Sequence, residues 1–118
     1  FPIYCILLNL RLIKQEGIDS ISKKNKIKSE LIYSEIDRNK CFSGFSEVSD
    51  RSQMNATFNM KEGFDSELFN KICSNNKISG INGHRSVGGY RASIYNALSL
   101  DSLNVLVDSM KEFELSQE

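Results

Sequence analysis

The residues best suited to chemistry lie in a glycine-rich segment, which reads Gly-His-Arg-Ser-Val-Gly-Gly-Tyr-Arg from position 83 to 91. Arg85 and Arg91 carry planar guanidinium groups whose geometry matches a carboxylate or a phosphate. His84 can add a hydrogen-bond donor or a positive charge. Gly88 and Gly89 let backbone amides approach a ligand, since no Cβ stands in the way. Cationic residues on both sides of a flexible turn therefore suit a small molecule with an anion at each end.

The spacing of these residues also allows a plainer interpretation. Arg85 and Arg91 could be ordinary surface residues, His84 a turn histidine and the glycine pair a hairpin bend. Spacing alone does not decide between this interpretation and an anion site.

Two other kinds of site are excluded or weakly supported. Phosphate-binding loops begin with the glycine spacing seen in Gly83-x-x-x-x-Gly88. That motif, however, continues with lysine and then serine or threonine, and leads into a helix. Here Gly89, Tyr90 and a predicted strand follow instead. An RNA-binding Gly-x-x-Gly element lacks the basic patch that would accompany it.

Composition sets limits on the size and partners of the protein. With 118 residues the chain has room for one domain with a modest core. Its 15 basic and 15 acidic residues cancel, which gives no reason to expect nucleic acid or an anionic membrane as a partner. Any preference for anions must therefore come from a local group of residues rather than from the net charge.

The three cysteines are far apart in the sequence. Cys5, Cys41 and Cys73 form no paired spacing typical of a metal or redox site. We therefore expect reduced thiols in a cytosolic protein.

The first sixteen residues predict a helix that is apolar around most of its circumference, and such a helix is normally buried on more than one side. Asn9, Arg11 and Lys14 interrupt it well short of a membrane span, and it lacks the features of a secretory signal. Because the sequence starts at Phe1-Pro2 and already within this helix, we expect it to begin inside a larger protein.

The rest of the chain predicts alternating helices and strands. A second helix follows Gly17, and its Lys23, Lys24, Lys26 and Lys28 are expected to face water. The segment 41–52 is expected to be a connecting loop. Strands are predicted at 54–60 and 90–95 from alternating polar and apolar residues, and helices at 64–73 and 99–113 from helical spacing. This order predicts an α+β fold, a small sheet layered with helices.

Several strings resemble phosphoserine aminotransferases. The fifteen residues Gly-His-Arg-Ser-Val-Gly-Gly-Tyr-Arg-Ala-Ser-Ile-Tyr-Asn-Ala at 83–97 are similar to a signature near the C-terminus of that family. Phe1-Pro2-Ile3-Tyr4 resembles the start of its interdomain helix, and Asp50-Arg51-Ser52 with Met54-Asn55 resembles its Asp-Arg-Ser-x-Met-Asn. Met110-Lys111-Glu112-Phe113-Glu114 resembles its closing helix. Glu16-Gly17 departs from the usual Gly-Gly pair.

The resemblance implies the C-terminal small domain of a fold-type-I aminotransferase that depends on pyridoxal phosphate. Residues 1–16 would be the interdomain helix and 17–118 the small α+β domain, with the large domain that binds the cofactor absent from this chain. The family exchanges an amino group between glutamate and 3-phosphohydroxypyruvate, giving 2-oxoglutarate and phosphoserine in serine biosynthesis. The family is cytoplasmic and homodimeric. Because its cofactor-binding groups belong to the large domain, and partly to the other subunit, the segment alone is expected to be inactive.

Carried onto matching positions, the resemblance implies three substrate-binding residues. Arg91 would hold the α-carboxylate, and His84 and Arg85 the phosphate or the distal carboxylate of glutamate. No catalytic residue, cofactor-binding residue or metal ligand is assigned to this chain. Ser93, Tyr95 and Asn96 are candidates for supporting Arg91, although strand packing or capping also explains them, and Asp50 and Arg51 are expected to form a local turn or ion pair.

Two alternatives remain open. One is a non-catalytic small-domain module that uses its apolar first helix for oligomerisation or another protein interaction. The other is a related aminotransferase acting on serine and glyoxylate, against which His84 and Arg85 argue, because both suit a phosphate.

Overall fold

The structure is a computed structural model that describes all 118 residues. Its helices are α1 (Pro2–Glu16), α2 (Ile18–Arg38), α3 (Ser66–Asn75) and α4 (Leu100–Leu115), and its strands are β1 (Phe42–Gly44), β2 (Asn55–Met60) and β3 (Tyr90–Ser93). A short 3-10 helix covers Val48–Asp50. The strands form one antiparallel sheet in the order β1-β2-β3. The predicted α+β fold is confirmed.

Local sequence explains how the last two helices begin. Asp65 is the N-cap of α3, and its carboxylate accepts hydrogen bonds from the backbone N–H of Glu67 (2.9 Å) and Leu68 (3.3 Å). Ser99 caps α4 in the same way by accepting from the N–H of Ser102 at 3.1 Å. Such caps satisfy donors that the first turn of a helix leaves free.

The core lies between one face of the sheet and helices α2, α3 and α4. Its centre is aromatic: the ring of Phe42 lies 4.9 Å from that of Phe69, 5.5 Å from that of Phe58 and 5.7 Å from that of Phe113. The ring of Tyr90 stacks on that of Phe58 at 5.3 Å. Since Tyr90 begins β3, this packing fixes the start of the strand that carries Arg91.

The segment 41–52, predicted to be a loop, contains β1 and the 3-10 helix, so that prediction is wrong. Phe42, Ser43 and Gly44 pair with Met60, Asn59 and Phe58 of β2. Three residues are too few to show an alternating pattern, and the strand forms because the side chain of Phe42 fills the core.

Helix α1 also differs from its prediction. None of its residues is buried, although the sequence predicts burial on more than one side. Its main contact is with α2. Large apolar side chains along it are exposed: Ile3, Tyr4, Ile6, Leu7, Leu8, Leu10 and Leu12.

Candidate functional site

The glycine-rich segment forms a closed turn between α3 and β3. The N–H of Gly83 donates to the carbonyl of Gly89 at 2.9 Å, and the N–H of Gly88 donates to the carbonyl of His84 at 2.8 Å. Gly88 and Gly89 have φ values of +74° and +66°, which glycine adopts without a steric penalty. A Cβ on Gly83 would stand 2.1 Å from the carbonyl oxygen of Gly88, so this position tolerates only glycine without a backbone shift.

His84 and Arg91 line the same cleft, of about 240 Å³. The turn forms one wall, and the polar face of β2 forms another through Thr57 and Asn59. Thr57 pairs with Arg91 across the sheet. Arg85 follows His84 on the exposed turn and is outside the lining of this cleft. The structure therefore brings two of the three predicted site residues together and leaves the third outside the lining of the cleft.

The charges of the predicted site residues have no acidic partners within the chain. All three side chains are exposed, and none takes part in the ion pairs of the structure. The imidazole Nδ1 of His84 lies 2.7 Å from the hydroxyl of Ser86, which orients the ring. Cationic groups in this state can bind an external anion without first breaking an internal pair.

Arg91 is held through its backbone. Its N–H donates to the carbonyl of Ile81 at 2.8 Å on the outer edge of β3, while β2 pairs with the inner edge. A second cleft, of about 350 Å³ between 77–81, β3 and α4, also includes Arg91. The guanidinium thus projects from a supported strand at the border of two clefts.

Sequence reasoning missed Thr57 and Asn59. The signal that could have identified them is their polar character on the exposed face of the predicted strand 54–60, next to the strand of Arg91. The carbonyl oxygen of the Asn59 amide occupies the space that a Cβ on Gly89 would need, at 2.2 Å from it. The amide therefore packs directly against the turn.

The side chains of the three candidate supporting residues form no hydrogen bond with Arg91. They bind neighbouring polar groups instead. The hydroxyls of Ser93 and Tyr95 each lie 3.4 Å from the amide oxygen of Asn55. The amide oxygen of Asn96 accepts from Asn25 of α2 at 2.8 Å. These contacts join β3 and the following turn to β2 and α2.

The prediction that Lys28 faces water is wrong. Its residue is only 3% exposed, and its amine donates to the carbonyls of Tyr95 (2.6 Å), Ile94 (3.2 Å) and Leu98 (3.2 Å). Burial lowers the pKa of this amine, because desolvation disfavours the charged form. Lys23, Lys24 and Lys26 are exposed as predicted.

Arg51 forms the expected ion pair, although its partner is distant in sequence. Its guanidinium binds both carboxylate oxygens of Asp37, at 2.6 and 2.7 Å, and lies 4.6 Å from the ring centre of Tyr33. Gly44 leaves room for it, since a Cβ there would lie 2.7 Å from the guanidinium. Arg51 therefore acts within the fold.

The residues of this chain do not fit a pyridoxal phosphate site. A Schiff-base lysine needs a free amine inside the pocket that holds the cofactor, and the one buried lysine, Lys28, has its amine bound to three carbonyls. Every other lysine lies exposed on the surface. No three potential metal ligands come together either. No helix is both long and apolar enough to cross a lipid bilayer.

Comparison with protein-family models gives no match. Among curated proteins, the chain is 55% identical over 115 residues to a phosphoserine aminotransferase of Flavobacterium psychrophilum, an alignment that covers 97% of this chain and 32% of the relative. It is 48% identical over 116 residues to that of Bacteroides thetaiotaomicron, covering 96% of this chain and 33% of the relative. The chain thus spans about a third of the length of the curated relatives it matches.

Solved structures agree with these relatives. The phosphoserine aminotransferase from Bacillus circulans subsp. alkalophilus superposes with a TM-score of 0.86 at 37% identity, covering 92% of this chain and 31% of that one. A phosphoserine aminotransferase from Trichomonas vaginalis, described as bound to PLP, gives a TM-score of 0.77 at 33% identity, covering 86% of this chain and 30% of that one. The fold is that of one part of these aminotransferases.

Proposed function

We propose that this chain, which is homologous to about a third of the length of phosphoserine aminotransferases, is the C-terminal small domain of such an enzyme and supplies its substrate-anion site. The complete protein would transfer an amino group between glutamate and 3-phosphohydroxypyruvate in serine biosynthesis. The observation that carries the proposal is that His84 and Arg91, both without acidic partners, line one cleft in a chain so similar to these enzymes.

The two substrates of this reaction share an amino acid head and differ in a distal anion. We propose that Arg91 binds the common α-carboxylate, because its planar guanidinium offers paired donors from a strand supported on both edges. His84, which lines the same cleft, would donate to the distal phosphate or carboxylate. Arg85, on the exposed turn, would add positive charge at the rim.

The distal site must accept anions of different size and charge. A closed turn with exposed cationic side chains suits this requirement, since side chains and water can adjust while the backbone stays fixed. The head group is the same in both half-reactions, so Arg91 has the stricter geometric task.

The cofactor, pyridoxal phosphate, would supply the electron-sink chemistry from residues outside this chain. We assign residues 1–16 to the helix that joins the two domains and 17–118 to the small domain. The exposed apolar side chains of α1 support this assignment, because another part of the protein would cover them. We further propose that the protein is cytoplasmic, which its three free cysteines support. That it is a homodimer is proposed from the resemblance to the family.

The test is substitution of Arg91 in the complete protein. For Arg91→Ala we expect kcat/KM to fall in both half-reactions by a factor that corresponds to about 2 to 4 kcal/mol, as for loss of a partner from a buried ion pair. His84→Ala and Arg85→Ala should instead affect phosphoserine more than glutamate, because a phosphate carries more charge. Stopped-flow measurement of each half-reaction separates these effects.

Lys71→Ala, an exposed cation on α3 without an ion pair, serves as the matched control and should keep normal rates. Near-normal turnover of Arg91→Ala with glutamate and 3-phosphohydroxypyruvate would contradict the proposed role. The non-catalytic module has no comparable support, since the relatives and solved structures described above are aminotransferases.

A further inference from the structure

Lys28 is a buried cation without a carboxylate partner. It forms none of the ion pairs of the structure, and its amine meets only carbonyl oxygens, those of Ile94, Tyr95 and Leu98. Removing an ammonium group from water is costly unless hydrogen bonds replace its hydration. Three acceptors from one short segment, 66 to 70 residues away in sequence, provide that replacement.

The segment that Lys28 holds is the continuation of the strand that carries Arg91. β3 is an edge strand of only four residues, and Ile94 and Tyr95 follow it directly. The N–H of Ile94 donates to the carbonyl of Met54, the residue before β2, at 2.8 Å, and the carbonyl of Ile94 accepts from Lys28, so both contacts hold this position. The turn that follows is closed by a hydrogen bond from the N–H of Leu98 to the carbonyl of Tyr95 at 3.0 Å.

A second contact from the same helix supports this arrangement. Asn25, one turn before Lys28 on α2, donates to the amide oxygen of Asn96 at 2.8 Å. The side chains of Asn25 and Lys28 therefore reach the same turn from the longest helix of the chain. Displacement of β3 along its axis would have to break both contacts.

We propose that Lys28 is a positioning residue for substrate binding, which fixes the turn after β3 and thereby the location of the Arg91 guanidinium. This inference rests on the proposed function, because it assumes that Arg91 binds the α-carboxylate. A lysine suits this buried position because an ammonium group has three donors and each of the three carbonyls accepts one.

The test uses the complete protein with Lys28→Met, which keeps an unbranched side chain of similar length and removes all three donors. We expect the KM values of glutamate and phosphoserine to rise by a common factor on the order of tenfold, since a shifted guanidinium affects the shared head group. Cofactor absorbance and kcat should change much less. A merely structural role would instead reduce the folded fraction and apparent kcat while leaving KM unchanged.

Lys24→Met is the matched control, because Lys24 lies one turn earlier on α2 with its side chain 64% exposed. It should leave both KM values unchanged. In an Arg91→Ala background, Lys28→Met should cause little further rise in KM, since its effect passes through Arg91.

The results separate the two proposals. If Arg91→Ala impairs both half-reactions but Lys28→Met leaves both KM values unchanged, the inference about Lys28 is wrong and the proposed function stands. If Arg91→Ala has no effect, the proposed function is wrong and the inference fails with it. Should Lys28→Met not fold, Lys28→Arg gives the same measurement, because its larger planar group cannot match the three carbonyls, and an unchanged KM there would overturn the inference.

Discussion

Arg51 and Arg91 carry the same guanidinium group, but the structure surrounds them differently. The side chain of Arg51 is 13% exposed. Its guanidinium donates two hydrogen bonds to the carboxylate of Asp37 and lies against the ring of Tyr33. Arg91 is exposed, has no ion pair and lines a cleft. The difference indicates that Arg51 has its anion supplied by the fold, whereas Arg91 is available for an anion from outside.

The glycines near these arginines serve different purposes. Gly44 makes room for the guanidinium of Arg51, so the side chain itself is packed. Near Arg91, the glycines shape the backbone of the turn, and the side chains of His84 and Arg85 remain exposed. Side-chain contacts therefore fix the region around Arg51, whereas backbone conformation fixes the turn near Arg91.

The largest effect should come from the turn. In Gly83→Ala the new Cβ would stand 2.1 Å from the carbonyl oxygen of Gly88, so the backbone must shift. We expect a loss of about 2 kcal/mol in the free energy of unfolding of the 118-residue chain, measured by urea denaturation. The complete protein should also bind its phosphorylated substrate more weakly.

Gly88→Ala is the control within the same turn. Its φ of +74° is unfavourable for alanine, but a Cβ there meets no atom within 4 Å. It should cost only about 1 kcal/mol. Equal losses for the two variants would show that the close approach at Gly83 does not constrain the turn.

A smaller effect should distinguish the two arginines directly. Arg51→Met removes the paired guanidinium and its contact with Tyr33, and should lower the free energy of unfolding by about 1 to 2 kcal/mol. Arg91→Met should change it by less than about 0.5 kcal/mol, as for other exposed substitutions. Urea unfolding of both variants measures this, and a larger loss for Arg91→Met would contradict the assignment of Arg91 as a free cation.

Sequence patterns predicted the elements whose signals are local. The start of α4 at Ser99 and the alternating residues of β2 were identified because capping and periodicity act within a few residues, whereas α3 was predicted to begin at 64 and begins at Ser66. β1 was missed because three residues carry no period, and Lys28 because its exposed neighbours on α2 gave it the pattern of a solvated face. Its three carbonyl partners lie far away in the chain.

In the candidate site, too, local sequence identified some features, and others depend on contacts that are distant in the chain. Residue types and the resemblance identified His84, Arg85 and Arg91, whose substrate-binding roles remain predictions. The shared cleft of His84 and Arg91, and the position of Arg85 outside it, depend on how the turn closes onto β2. The partner of Arg51 was likewise beyond local patterns, since Asp37 lies fourteen residues earlier on α2.

The smallest effect should be seen in the dependence of stability on pH. The hydrogen bonds from Arg51 hold the pKa of the Asp37 carboxyl below its usual value. The unfolded chain therefore binds a proton at higher pH than the folded chain does, and the stabilisation from this pair is complete above the unfolded pKa of about 4. It is lost as pH falls through the lower folded pKa.

The free energy of unfolding should therefore fall less for Asp37→Asn than for the parent chain when the pH is lowered from neutral to below the folded pKa of Asp37. The carboxylate is 52% exposed, so solvent screening limits the difference to less than about 1 kcal/mol. Urea unfolding at a series of pH values provides the measurement. Arg91→Met, in which no ion pair is removed, should follow the parent curve, and a flattened curve for that variant would mean that Arg91 also depends on a carboxylate of the fold.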